Sequence, residues 1–408
     1  MTHDVVVCGG GASGFFAAIN IAIKNPDFSV VILEKSSKLL SKVKISGGGR
    51  CNVTNGRNKA SELVNFYPRG ERKIYNLLKN FGPGEMKNWL NSYGVQLKTE
   101  EDLRVFPITD KSQTIIDCFL KLCHQHKIAI ETQQEVTSIS DENNLWSIET
   151  KSDSNYRSKS IVLATGASPK TWQLIEQLPY KLTETAPSLF TFNIKDQRIK
   201  HLPGVAFQHA SVKVAGTKLA EEGPLLITHW GMSGPAILKL SAWGARTLKS
   251  INYDFKILIN FNANTSQEEM RNWLNEQKNV SGGKKISNVV PAGIVKRYWL
   301  SLLDYCQISH NQIIRELNKK QINKLIEECC QAQFEVKGKS TFKDEFVTCG
   351  GVALNEIDLK TMESKKHRGI YFCGEVLDID GITGGFNFQA CWATAWAISE
   401  AISQKNQQ

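Results

Sequence analysis

At 408 residues, 41% of them apolar and 22% charged, the chain has enough apolar mass for a real core; this excludes a disordered protein and suggests roughly two to three domains. The net charge of +10 invites a nucleic-acid partner. The lysines are nevertheless scattered, with no run of five or six like charges, which points away from one.

The longest apolar stretch, "GFFAAINIAI", is broken by Asn20 and stopped by Lys24, far short of the roughly 20 residues a membrane helix needs. The opening "MTHDVVVCGG" runs into a strand with no signal peptide before it, so a cytoplasmic location is expected. Ten cysteines suit that compartment as reduced, mostly buried thiols. They include the adjacent pair Cys329 and Cys330 but no paired C-x-x-C sets, so no metal is expected. Nothing in the pattern fixes an oligomeric state.

"DVVVCGGGASGFFAAINIAIKN" reads as strand, glycine turn and helix. Val5, Val6 and Val7 form the continuous apolar run of a strand buried on both faces. Gly9, Gly11 and Gly14 complete G-x-G-x-x-G: the first allows the tight turn, the second the close approach of a pyrophosphate, the third helix-on-strand packing. The helix beginning at Ala12 and Ser13 aims its amides and dipole at the phosphates. A second strand, "SVVILEK", ends at Glu34, twenty residues after Gly14, where a carboxylate can accept ribose hydroxyls and would repel the 2′-phosphate of NADP. A dinucleotide site follows.

The next segment is "KLLSKVKISGGGRCNVTN". A glycine-rich backbone over Ser46, Gly47, Gly48 and Gly49 can lie against a flat ring where a β-carbon would collide. Arg50 can neutralise phosphate or fork onto an anionic ligand, and Asn52 can cap the following turn or reach a ring edge. Cys51 is a candidate to tune a cofactor or touch substrate, with simple packing as the alternative. Five positions past Cys51 stands Gly56, so the C-x4-C dithiol of disulfide reductases is absent here. Cys118 and Cys123 share that spacing but fall in an amphipathic helical pattern, which reads as buried packing.

"KSIVLATGASP" is a strand entering the turn Ala164-Thr165-Gly166. From about Pro187 to Asn262, runs such as "SLFTFNI" and "ASVKVAG" predict strands. Within them, "THWGMSGP" predicts a helix start with Ser233 as N-cap and Pro235 in the first turn. His229 beside it has a pKa suited to protonating a substrate, against the plainer reading of a structural histidine. From about 263 to 335, "SQEEMRNWLNEQ" and "NKLIEECCQAQ" predict helices. "GIYFCGEVLDIDGITGGFNFQACWATAWAI" (369–398) then reads strand, acidic turn with Glu375 and Asp380, glycine turn and helix. No second nucleotide fingerprint follows residue 40, so NAD(P)H is expected, if at all, as a reductant docking transiently.

These segments resemble FAD enzymes of the glutathione-reductase type, in which the stretch after the second strand passes along the pyrophosphate and flavin. "SGGGRCNVTN", "TCGGVALNEIDLKTMESK" (348–365) and "CGEVLDIDGITGGFNFQ" together resemble the BaiN/YhiN flavoprotein family of NAD(P)/FAD-dependent oxidoreductases. "RVFPITDKSQTI" and "LLITHWGMSGPAILKLS" extend the likeness over nearly the whole chain. One departure is Thr394-Ala395, where the family often has Ser-Gly.

The resemblance implies an α/β protein with a glutathione-reductase-type, Rossmann-like FAD domain built from both chain ends (1–187 and 336–408). Between them it implies an inserted β-rich domain (188–262) and a helical subdomain (263–335). It implies FAD held by Ser13, Glu34, Lys35, the stretch Lys42 to Cys51, Val136, the Thr165-Gly166 turn, Gly374, Glu375 and Asn387-Phe388. The glycines at 381, 384 and 385 would open a helix whose positive end faces the flavin pyrimidine edge, where it stabilises the charge of a reduced ring. A small organic molecule over the flavin, near Cys51 and His229, is the expected substrate. An RNA-modifying flavoprotein and a non-catalytic binding protein are the alternatives.

Overall fold

The computed structural model describes residues 2–142, 145–340 and 347–406. The chain forms two compact units, Met1–Ala186 with Lys343–Gln408, and Pro187–Phe342.

In the first unit, β1 (Thr2–Cys8) leads through the glycine turn to α1 (Ala12–Lys24) and β2 (Val30–Glu34). Val5, Val6 and Val7 are fully buried, and β1 pairs in parallel on both sides as a central strand. Helix α1 is buried along most of its length, and Asn20 within it is satisfied: it donates to Phe16 O at 2.7 Å and accepts from Trp89 Nε1 at 3.0 Å. The glycine-rich α2 (Ser41–Gly49) is followed by the hairpin β3 (Leu97–Thr99) and β4 (Arg104–Pro107). Helix α3 (Gln113–Gln125) buries Cys118 and Cys123 on its apolar face. Strand β5 (Ala129–Thr132) extends the parallel sheet beyond β2. An antiparallel run, β6 (Val136–Glu142), β7 (Leu145–Thr150) and β8 (Asn155–Leu163), brings the chain back beside β1.

The second unit is an antiparallel sheet with helices. Its strands are β9 (Thr191–Asn193), β10 (Ala206–Val214), β11 (Ala220–Thr228), β12 (Gly231–Ser233), β13 (Asp254–Asn260), β14 (Ala332–Lys337) and β15 (Lys339–Ser340). They lie in the order β14-β13-β10-β11-β12-β9-β15. Helix α4 (Pro235–Trp243) begins with proline as expected, but its N-cap is Gly234, not Ser233, which closes β12. Gly234 sits at φ +96°, and a β-carbon there would come 2.8 Å from Pro224 O, so the sharp corner admits only glycine. Helices α5 (Gln267–Val280), α6 (Lys296–Tyr305) and α7 (Lys319–Cys330) follow β13. They join two neighbouring strands, with Phe255 of β13 opposite Val336 of β14. The helical stretch is therefore a connection within one sheet-containing unit.

The chain then returns to the first unit through β16 (Ile357–Asp358), β17 (Glu363–Ser364), β18 (Ile370–Phe372) and α8 (Phe386–Asn406). Strand β18 pairs in parallel with β8, giving the parallel order β5-β2-β1-β8-β18. Helix α8 packs along α1, where Phe16 meets Trp392 at 5.3 Å, Trp89 at 4.8 Å and Phe81 at 5.4 Å. Both ends of the chain thus build one α/β core. Among the described residues no helix is long and apolar enough to cross a membrane.

Candidate functional site

The turn between β1 and α1 divides its glycines by task. A β-carbon on Gly14 would fall 2.0 Å from Gly9 O, and one on Gly9 would fall 2.3 Å from Ala164 O; both are packing positions. A β-carbon on Gly11 would meet nothing within 4 Å. Gly11 is the N-cap of α1, no side chain caps the helix, and its first turn holds no acid. The amides of Ala12, Ser13 and Gly14 are therefore presented to an anion beside open space. Glu34 braces the turn: its carboxylate accepts from Gly10 N at 2.8 Å and from Ser36 N and Oγ at 2.9 Å each.

Beyond Glu34 opens a cleft of about 60 Å³. It brings together Gly9, Glu34, Lys35, Val136 and Thr165 from four separate stretches of chain. Thr165 Oγ1 is buried there with no hydrogen-bond partner among the described residues, a hydroxyl that a ligand would satisfy. The sequence reading missed the rim: Glu135 bonds Lys170 Nζ at 2.6 Å, which holds its carboxyl below the usual range, and Ser168 Oγ accepts from Lys35 Nζ at 3.4 Å. The signals available were the polar residues flanking Val136 and the Ser168-Pro169 helix start after the Ala-Thr-Gly turn.

Gly47, Gly48 and Gly49 all lie in the left-handed region, at φ +58°, +69° and +84°. Three such residues in succession require glycine. The turn is pinned from outside. Arg50 stacks 3.9 Å over the Phe106 ring, bonds Glu100 at 2.7 Å and reaches Asp110 at 3.5 Å. Asn52 Oδ1 accepts from Val105 N at 3.3 Å, and Ser46 Oγ donates to Val43 O at 2.9 Å. Arg50 and Asn52 thus clamp the turn to the β3–β4 hairpin, where the sequence suggested contacts with a phosphate or a ring edge. Cys51 is fully buried at φ +62°, and burial pushes its thiol up to about 12.

The C-terminal segment meets the same region. Gly374, at φ +74°, sits so close to Ser13 that a β-carbon would lie 2.5 Å from Ser13 Oγ. Glu375 pairs with Lys42 and accepts from Thr348 N at 2.9 Å. Asp380 is fully buried and paired with Arg69. Gly381 and Asn387 exchange two hydrogen bonds of 2.8 Å, and Phe388 stacks on Trp392 at 5.6 Å. Gly385 passes so near Thr54 O that a β-carbon would stand 2.3 Å from it. Residues 53–55 and the start of α8 are cross-bonded: Trp392 Nε1 donates to Val53 O at 2.9 Å, Thr54 Oγ1 to Gln389 at 2.6 Å, and Asn55 Nδ2 to Gly384 O at 3.0 Å. Thr394 accepts from Gly374 N at 3.1 Å, a bond that a serine at this position would also make. His229 belongs to the other unit, exposed at the turn between β11 and β12 with its ring 6.2 Å from Trp230. Among the described residues no cluster of acids, cysteines and histidines could hold a metal.

Open space at Gly11, uncapped amides, the Glu34 carboxylate in the cleft and the Thr165 hydroxyl beside it are fittings that suit a dinucleotide. Residues 3–401 match the HI0933-like protein Rossmann domain. The chain belongs to that family. The HI0933-like chain is 27% identical to the ribosomal RNA dihydrouridine synthase of Escherichia coli (strain K12), over 98% of each chain. It is 26% identical to the 3-dehydro-bile acid delta(4,6)-reductase of Clostridium scindens, over 99% of this chain and 100% of that one. Its fold resembles an open-form flavocytochrome c3 fumarate reductase, with a TM-score of 0.51 at 15% identity over 100% of this chain and 79% of that one. It also resembles the 3-ketosteroid-Δ4-(5α)-dehydrogenase of Rhodococcus jostii RHA1, with a TM-score of 0.51 at 13% identity over 98% and 97%. The HI0933-like protein is an FAD-dependent oxidoreductase with a Rossmann-like FAD domain.

Proposed function

We propose that this HI0933-like flavoprotein reduces a carbon–carbon double bond conjugated to a carbonyl, and that its substrate is a uracil base carried in RNA. The two relatives' names describe one kind of chemistry: dihydrouridine arises by reduction of the uracil double bond next to its carbonyl, and a delta(4,6)-reductase saturates a ring alkene.

The observation favouring RNA is where the charge lies. Pro187–Phe342 carries 21 lysines and arginines against 12 carboxylates, while the FAD-binding unit carries 29 against 28. Nearly all of the +10 therefore sits on the inserted unit, as a polyanion-binding module would require. A free small enone is the second reading, favoured by the bile-acid relative.

In this reading FAD, when bound, supplies hydride transfer. Glu34 receives the adenosine ribose, the amides of Ala12 to Gly14 face the pyrophosphate, and Lys35, Val136 and Thr165 line the adenine end. Lys42 and Glu375 hold the ribityl side, and Gly385, Asn387 and Phe388 present the start of α8 to the pyrimidine edge. The Gly47–Gly49 backbone, held by Ser46, Arg50 and Asn52, leaves room for the flat ring. Cys51 serves as a neutral packing thiol. NAD(P)H acts as the reductant and docks only transiently.

The test is a single turnover without oxygen. Reduced holoenzyme is mixed with uridine-containing ribosomal RNA or with a 3-keto-4,6-diene steroid, and flavin reoxidation is followed. Reoxidation by RNA is expected; reoxidation by the steroid alone would transfer the reading to small enones, and by neither would end it.

A further inference from the structure

A second site is built into the inserted unit from residues that none of the assignments above uses. The register of β10 on β11 shifts between Phe207 and Ala210, a bulge that turns the consecutive side chains of Gln208 and His209 both to solvent. A bulge re-aims side chains in this way, and such irregularities concentrate beside functional sites. The bulge is held by Ala263 N, which donates to His209 O at 2.6 Å. Beneath it lies a cleft of about 270 Å³ lined by Ala206, Gln208, His209, Phe261, Asn262 and the 293–295 turn. Among the described residues no carboxylate lines it. Its floor is apolar, with Phe261, Ile294 and Val295, and its wall is polar.

The 293–295 turn ends on Val295, the N-cap of α6. No side chain caps this ten-residue helix and its first turn contains no acid. It begins instead with Lys296 and Arg297, both exposed, and Arg297 Nη2 donates to His201 O at 3.2 Å, which brings exposed Lys200 and His201 alongside. A helix dipole and two cations at its mouth thus stand at the edge of a pocket with an apolar floor.

We propose that this cleft docks one nucleotide of an RNA chain. The base lies against Ile294 and Val295 above the buried Phe261, its edge meets Gln208 and His209, and the adjoining phosphate sits at Lys296, Arg297 and the start of α6. The proposal rests on the RNA reading of the substrate and says where the polymer is gripped.

The test measures binding of an oligouridylate of about 12 nucleotides to FAD-loaded protein by fluorescence anisotropy at several salt concentrations. Three variants are compared with the unsubstituted chain: Lys296→Glu with Arg297→Glu, His209→Ala, and the charge-matched control Lys319→Glu with Lys320→Glu. The control lies at the start of α7, whose far end carries Cys329, the partner of Phe261 N at 3.1 Å. The first variant is expected to weaken binding roughly tenfold or more and to reduce the salt slope by about 2. His209→Ala is expected to weaken it about threefold to tenfold with the slope unchanged, and the control to stay near the parent.

FAD content and reoxidation of the reduced enzyme by free uridine serve as readouts that these changes should not move. Equal losses in the first variant and the control would overturn the site and leave RNA as substrate. Absence of oligouridylate binding by the parent would overturn the site outright, while the turnover experiment above decides the substrate separately.

Discussion

The hydroxyl of Thr394, on the last helix, accepts the amide proton of Gly374 at 3.1 Å and passes its own to Ala390 O at 2.6 Å. This joins α8 to the acidic turn at the point where Gly374 presses on Ser13 of α1. The threonine is buried, so removing its oxygen strands a buried N–H. Thr394→Val should cost about 1–3 kcal/mol in chemical denaturation and lower FAD affinity, whereas Thr394→Ser should behave like the parent.

Two glycines three residues apart should respond in opposite ways. Gly11→Ala adds a methyl to open space in the protein, so the apoprotein should keep its melting temperature. FAD affinity, measured by quenching of flavin fluorescence, should nevertheless fall roughly tenfold or more, since that space is where the pyrophosphate approaches. Gly14→Ala drives a methyl to 2.0 Å from Gly9 O and should lower the yield of folded protein. Equal FAD affinity in Gly11→Ala and parent would remove the pyrophosphate from this turn.

Glu34 makes charge-assisted bonds to Gly10 N, Ser36 N and Ser36 Oγ. Glu34→Ala should weaken FAD by about tenfold to a hundredfold, as loss of a hydrogen-bonded carboxylate usually does. Titration of apoprotein with FAD checks it; unchanged affinity would contradict the ribose assignment.

Burial holds the Cys51 thiol protonated up to about 12, against an ordinary value of 9.0. The unfolded chain loses that proton first as pH rises. Cys51 therefore contributes stability that is complete below pH 9.0 and is lost progressively toward about 12. Cys51→Ala should flatten the alkaline fall of stability over that window and leave turnover within about threefold of the parent. A loss of a hundredfold or more in turnover, with folding intact, would instead place the thiol in the chemistry.

What the sequence made legible is local. Val5 to Val7, the glycine turn and Glu34 lie within about thirty residues, and each states its own geometry: a two-sided strand, a close approach, a carboxylate at ribose distance. The same holds for the amphipathic helix that buries Cys118 and Cys123. What was hidden depends on partners far along the chain. Arg50 reads as a free cation until Glu100 and Asp110 fold against it, and Asn52 as a free amide until Val105 pairs with it. The corner at Gly234 packs against Pro224 O on the neighbouring strand β11, and the N-cap lies one residue past the serine that propensity favours. The charge excess of the inserted unit went unread although the expected bounds, 188–335, nearly match the observed unit, because its lysines form no run. The bulge at Gln208 and His209 leaves no periodicity signal at all.

Nucleoside analysis of the product tests the central claim most directly. Ribosomal RNA lacking dihydrouridine is incubated with holoenzyme and NADPH or NADH under nitrogen, digested, and examined by mass spectrometry. The account predicts a uridine heavier by two hydrogens, formed only with FAD-loaded protein. RNA that emerges with every uridine unchanged, although the flavin cycles on a free enone, would contradict it.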